Sequence, residues 1–252
     1  VVSGILYTSF VQPYITYQHG KKLLSEKKYD DAIAEFAKVD GYKDSKSMID
    51  DSYYQKGASL LEEKKFDEAE EIFESLNNYK MMQETKRQKG IYLLDQKEYD
   101  AAKEIFKDLD DSEMRNEVDY QRALDYVTQE EYDKAIILFK WLKNHKYKDS
   151  EEQYNEVTYQ EGVKFMDAEN YSSASAVFQN IKDYKDALTK WEKCQYILGK
   201  NEMDKKEYEK ASSYFEQIVD NNSNSDLFQK AKNEALECYY LDGVRWMNDK
   251  NY

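Results

Sequence analysis

This chain is poor in the residues that usually break or staple a fold. It has one proline, eight glycines and two cysteines among 252 residues. Long structureless turns therefore have little material, and a chain rich in Glu, Lys, Ala and Leu with so few breakers favours helix. Cys194 and Cys238 form no CxxC pattern, which excludes a disulfide framework and a zinc site of the usual spacing. The only histidines, His19 and His145, stand alone, and there is no HExxH, no GxSxG and no glycine-rich phosphate loop. No enzymatic activity is expected. Basic charge is also short: 37 Lys and Arg face 51 Asp and Glu, a net charge of −14. Such a surface repels phosphate backbones, so nucleic acid is not an expected partner, and no basic run marks an anionic membrane surface. The densest acidic cluster, Asp108, Asp110 and Asp111, lacks the alternating carboxylates and glycine of a calcium loop. No cofactor or metal is expected.

What the chain has in plenty is one phrase. EKKYDDAIAEF, residues 26–36, returns as EKKFDEAEEIF at 63–73, QKEYDAAKEIF at 96–106 and QEEYDKAIILF at 129–139. It appears again as AENYSSASAVF at 168–178 and KKEYEKASSYF at 205–215. Each copy holds an aromatic, an alanine three residues on (Ala32, Ala69, Ala102, Ala135, Ala174, Ala211) and a phenylalanine four further. The alanines are spaced 37, 33, 33, 39 and 37 residues apart. Nine residues before each aromatic lies a small residue: Gly20, Gly57, Gly90, Ala123, Gly162 and Gly199, with Gly243 standing nine before Tyr252.

Within a unit, Tyr17, Gly20, Leu23 and Leu24 share one helical face, as do Tyr29, Ala32, Phe36 and Val39. Each unit therefore reads as two amphipathic helices joined by a short polar turn, with the Phe filling the space the small residue leaves. One hairpin cannot bury its own apolar face, and a stack of them can. Cys194 and Cys238 occupy equivalent positions in successive units, too far apart to bridge, and read as free buried thiols. Tyr42-Lys43-Asp44-Ser45 recurs as 147–150 and, altered, as 184–187. Its Asp and Ser suit helix N-caps, and Ser150 to Gln153 fits a capping box.

These residues resemble the tetratricopeptide repeat (TPR) family, whose pattern is a helix–turn–helix with small residues and Ala-x3-Phe. The likeness runs from about Tyr17 to Tyr252. It departs in lacking the first-helix Trp and the closing Pro, and in carrying Lys56, Lys89 or Arg122 where the family has Leu. The resemblance implies an all-α fold, an α-solenoid of about six and a half stacked helix pairs in a right-handed superhelix, with a concave groove lined by the first helices. The groove positions that form the family's basic clamp hold Ala58, Ile91, Leu124 and Val163, which points to an apolar or basic partner segment. Tyr17, Tyr54, Tyr120, Tyr159, Tyr196 and Tyr240 each stand three residues before the small residue, and Arg87 takes that place in the third unit. Two roles fit this ladder: packing of the first helix, or a groove contacting a ligand through Tyr54, Arg87, Tyr120, Tyr159, Tyr196 and Tyr240.

Residues 1–18 carry no charge. The apolar segment 1–16 fits either the end of a transmembrane helix or an N-terminal capping helix, with 17–252 as the repeat domain, cut in its seventh repeat. The layout resembles envelope proteins of low-GC Gram-positive bacteria, in which a membrane helix precedes extracytoplasmic repeats; a cytoplasmic placement is the alternative. The expected function is a non-catalytic protein–protein interaction scaffold for a peptide or protein partner. The alternatives are a structural spacer and a glycan-binding module. Specificity is expected in residues that differ between copies, on the first helices.

Overall fold

The structure, a computed structural model, describes residues 11–221 and 225–249. Thirteen α-helices and no strand occur among the described residues. The first helices of the pairs are α1 (Gln12–Ser25), α3 (Ser45–Glu62), α5 (Tyr79–Asp95), α7 (Ser112–Thr128), α9 (Ser150–Asp167), α11 (Ala187–Asp204) and α13 (Asp226–Asp249). The second helices are α2 (Tyr29–Ala37), α4 (Phe66–Ser75), α6 (Tyr99–Asp108), α8 (Tyr132–Asn144), α10 (Tyr171–Gln179) and α12 (Tyr208–Asp220). Every second helix starts on the aromatic of the repeated phrase.

The chain divides into two compact units whose boundary lies inside α7, between Val118 and Asp119. In the first unit α1 to α6 pack each on the next in chain order. In the second, α8 to α13 do the same, and α11 also touches α13. Consecutive packing across short turns is the signature of stacked helix hairpins, and the fold of each unit is a TPR-like α-solenoid.

The lock inside each hairpin is a ring seated on bare backbone. Phe36, Phe73, Phe106, Phe139, Phe178 and Phe215 are fully buried, as are the six phrase alanines. A Cβ placed on Gly20, Gly57, Gly90, Gly162 or Gly199 would lie 2.6–2.8 Å from the phenyl ring of its own hairpin. That is closer than carbon atoms pack, so five glycines serve here for close approach. Ala123 in the fourth pair is the one place where a methyl fits beside the ring. Gly243 has nothing within 4 Å of such a Cβ, and the α13 face that carries it leaves Leu236, Tyr240 and Met247 exposed.

The hairpin turns solve the glycine shortage in an unusual way. The left-handed position after each first helix is held by Lys27, Lys64, Lys97, Glu130, Glu169 or Lys206, with φ between 56° and 62°. The next amide then reaches back across the helix end: Lys28 N–H donates to the Leu23 carbonyl at 3.0 Å and Lys65 N–H to Leu60 at 2.9 Å. Glycine usually occupies this site because a side chain strains it.

Helix α1 begins at Gln12 with Pro13 in its first turn, where the missing amide has no partner to lose. It runs across the 16/17 boundary expected from sequence. The apolar stretch 1–10 lies outside the described residues, and with it the choice between membrane anchor and cap. Among the described residues no helix is long and apolar enough to cross a membrane.

Two outcomes follow from this packing. Gly162→Val places a branched side chain against Phe178 and is expected to destabilise the chain by roughly 2–3 kcal/mol in urea unfolding. Lys27→Gly relieves left-handed strain at a residue with no ion pair among the described residues, and is expected to stabilise by roughly 0.5–1 kcal/mol, read as a rise of about 2 °C in Tm.

Candidate functional site

The tyrosine ladder is built from first helices, and five of its six tyrosines are braced from below by their own hairpin. The rings of Tyr17, Tyr54, Tyr120, Tyr159 and Tyr196 meet Phe36, Phe73, Phe139, Phe178 and Phe215 edge-on, with centroids 5.6–5.9 Å apart. This geometry sets the positive ring edge on the negative face of its neighbour.

At three rungs the hydroxyl then reaches forward to the next pair. Tyr17 donates to Asp44 at 2.5 Å, Tyr120 to Asp149 at 2.6 Å and Tyr159 to Asp186 at 2.6 Å. These are the aspartates of the Tyr-Lys-Asp phrase. Its tyrosine packs edge-on against the same ring, 5.9 Å for Tyr42 on Tyr17 and 6.0 Å for Tyr147 on Tyr120. Its lysine, held at left-handed φ, folds back so that the ammonium lies over the rung: Lys43, Lys148 and Lys185 stand 4.8–5.1 Å from the centroids of Tyr17, Tyr120 and Tyr159. Cation, ring edge and carboxylate thus converge on one tyrosine. The phrase accounts for the uneven spacing: the intervals of 37 and 39 residues contain it, and the intervals of 33 do not.

This arrangement corrects the expected caps. Asp44, Asp149 and Asp186 do occupy N-cap positions, but their side chains make no capping bond. Their carboxylates accept from the tyrosines instead. The capping box expected at Ser150 is also rearranged: Gln153 reaches back to the Asp149 carboxylate at 2.9 Å, and the Ser150 hydroxyl donates to the Tyr147 carbonyl. Side-chain caps occur at two first helices that the phrase does not precede, at Asn78 on Met81 N–H and at Asp111 on Met114 N–H, and at one second helix, at Asn170 on Ser173 N–H. The tyrosine hydroxyl holds the Asp44 and Asp186 carboxyls below their ordinary range; for Asp149 the Gln153 amide is the larger cause and Tyr120 the second.

The remaining rungs differ. Tyr196 donates to Glu234 at 3.1 Å. Tyr54 is 40% exposed and its hydroxyl lies 3.9 Å from the Met81 sulfur. Arg87 donates to Asp111 at 2.9 Å and borders a surface cavity of about 430 Å³ with Met81, Glu84 and Leu109. Met81 is the residue that brings Tyr54 and Arg87 together, and no repeat pattern pointed to it. Tyr120, Tyr159 and Tyr196 follow one another along the second unit. Tyr240 stands apart from them in kind: it is 66% exposed on α13. Cys194 and Cys238 are free and buried, and burial pushes the Cys194 thiol up to about 11. Among the described residues no group of His, Cys, Asp or Glu is placed to hold a metal ion.

No protein-family model matches the chain, and no curated protein matches it in sequence. Among solved structures it is similar to the TPR domain of P58(IPK), at 17% identity over 92% of this chain and 79% of that one, with a TM-score of 0.29. A tetratricopeptide repeat protein from Parabacteroides merdae is 13% identical over 90% of this chain and 86% of that one, with a TM-score of 0.24. The apo form of RapI is 14% identical over 90% and 74%, with a TM-score of 0.24. The TPR-like fold rests on the chain's own helix order and hairpin packing.

Tyr120→Phe keeps the ring and removes the bond to Asp149. It is expected to destabilise by about 1 kcal/mol at neutral pH. Because the Asp149 carboxyl is lowered in the folded chain, its contribution is present above about pH 4 and fades as pH falls through the folded value. Urea unfolding at neutral and acidic pH checks this: the gap between wild type and variant should narrow in acid.

Proposed function

We propose that the chain is a non-catalytic scaffold that holds a peptide or protein partner on its first-helix surface. The observation that carries this is the cavity beside α5. It joins an apolar floor of Met81 and Leu109 to a guanidinium, Arg87, that is 46% exposed and whose one partner among the described residues is Asp111. An apolar partner side chain fits that floor, and the remaining Arg87 N–H donors suit a backbone carbonyl of the same segment. Tyr54 flanks the cavity through Met81.

A photo-crosslinking phenylalanine analogue at position 54, in the full-length protein in its own cell, tests the reading. A discrete crosslinked partner that disappears with Arg87→Ala, at unchanged Tm, supports it. Absence of any partner supports the second reading, a structural spacer, which is favoured by the use of the Tyr120 and Tyr159 hydroxyls inside the stack.

The proposal extends to placement: the apolar segment that leads into α1 is the end of a membrane anchor, and the repeats lie on the outer side of the membrane. Protease added to intact cells should then degrade the repeats, and protection of the repeats would overturn the placement.

A further inference from the structure

The six second helices offer solvent the same positions, and one of them breaks the rule. The outer position five residues after the starting aromatic holds Ala34, Glu71, Glu104, Ala176 and Ser213 in five copies, all exposed. In α8 it holds Ile137, 68% exposed. Nine residues after the aromatic the five copies carry Lys38, Ser75, Asp108, Asn180 and Gln217, again all exposed. In α8 this position is Trp141, 45% exposed. Ile137 and Trp141 are four apart on one helical face, so they form a continuous apolar strip. Nothing in hairpin packing asks for either, since five copies manage without them.

The indole is held in place. His145, one turn further along, stacks on it with ring centroids 3.9 Å apart and an interplanar angle of 26°. The imidazole is fixed in turn, because Nδ1 donates to the Trp141 carbonyl at 2.8 Å. An exposed tryptophan braced in this way has already lost the rotamer freedom that a docking partner would otherwise have to remove.

Past Asp133, which is exposed one turn before Ile137 on the same face, the charge along α8 and its following turn has one sign. Residues 134–148 contain Lys134, Lys140, Lys143, Lys146 and Lys148 and no Asp or Glu, in a chain of net charge −14. Lys134 and Lys143 are engaged by Glu131 and Glu151. Lys140 and Lys146 are exposed and carry no ion pair among the described residues. Lys140 lies beside Trp141 and three residues from Ile137. In a chain without a basic run, the end of α8 and the turn after it are the local concentration of lysine.

We propose that the outer face of α8 docks an acidic segment of a partner protein that carries one bulky apolar side chain. The apolar side chain lies on Ile137 and Trp141, and the flanking carboxylates meet Lys140 and Lys146. This deepens the scaffold reading above and places a second contact on a second helix. A protein segment is favoured over an anionic bilayer because the apolar strip is only two side chains wide, too narrow for interfacial insertion, and because the rest of the surface is acidic. A central tryptophan with adjoining cations is the profile of an interface anchor.

The test uses the 252-residue chain and a fluorescein-labelled synthetic peptide with glutamates around a central Leu-Trp pair, read by anisotropy. Two control peptides replace the glutamates by lysine or the Leu-Trp pair by serine. The glutamate peptide should bind, more weakly at high salt, and both controls should fail. Trp141→Ala and Lys140→Glu should each weaken binding by about tenfold at unchanged Tm. Lys140→Glu keeps the test decisive should Trp141→Ala prove less stable. No binding of the glutamate peptide, equal binding of the lysine peptide, or indifference to both substitutions overturns the proposal. So does Trp141-dependent binding to vesicles of phosphatidylglycerol and phosphatidylcholine without peptide binding, or a Trp141-dependent dimer in sedimentation, which would make the face a lipid or self-association surface. A failed crosslink at position 54 in the other unit would sink the α5 reading and leave this result unaffected.

Discussion

A phenyl ring resting on a backbone that has no side chain holds each hairpin together, and the rest of the molecule is arranged around that contact. The ring is fully buried, it sits where a glycine Cβ would collide, and it meets edge-to-face a tyrosine one turn earlier on the first helix. Close approach of two helices maximises dispersion contact per residue, which matters in a chain whose composition is otherwise polar. The contact is repeated because a hairpin of this size cannot bury an apolar face alone.

The link between hairpins is of a different kind. Where the Tyr-Lys-Asp phrase is present, the junction is polar and aromatic together: a tyrosine hydroxyl on a carboxylate, a second tyrosine on the ring, and a lysine over the face. The left-handed lysine gives this its geometry, since only a reversal of the backbone returns the ammonium over the preceding helix. Where the phrase is missing, the junction is shorter and looser. Asn78 or Asp111 caps the next helix, Tyr54 or Arg87 keeps part of its surface in solvent, and a cavity opens. The sealed junctions thus contrast with a stretch in the first unit that keeps polar and apolar groups available.

Differences between copies carry the functional information, because the shared residues are consumed by packing. They fall in two places. One is the α5 region, where Arg87 replaces a tyrosine. The other is α8, where two apolar side chains replace polar or small residues and a histidine braces one of them. The first lies on a first helix, as the repeat logic anticipates. The second lies on the outer side of a second helix, a face that in the other copies carries solvent-compatible side chains.

Much of the architecture can be read from spacing alone. The helix pairs, the turn positions, the Gly–Phe seat and the free cysteines follow from the phrase and its offsets, because small-to-aromatic complementarity depends on residue type and helical period. The start of α1 at Gln12 and the true acceptors of the capping aspartates do not follow. A carboxylate at an N-cap can bond to its own helix or to a neighbour, and the choice depends on whether a tyrosine from the previous pair arrives within reach. The site is less legible still. Met81, the link between Tyr54 and Arg87, and the basic surroundings of Trp141 belong to no repeat pattern. The first arises from residues 27 apart that become neighbours when helices pack, and the second from a local departure of one copy from the other five. Sequence by itself determined the repeating lock, since one residue type at one spacing can make it. Tertiary structure decided which polar groups were used up inside the stack and which were left facing solvent, because that depends on distances between helices that no single helix encodes.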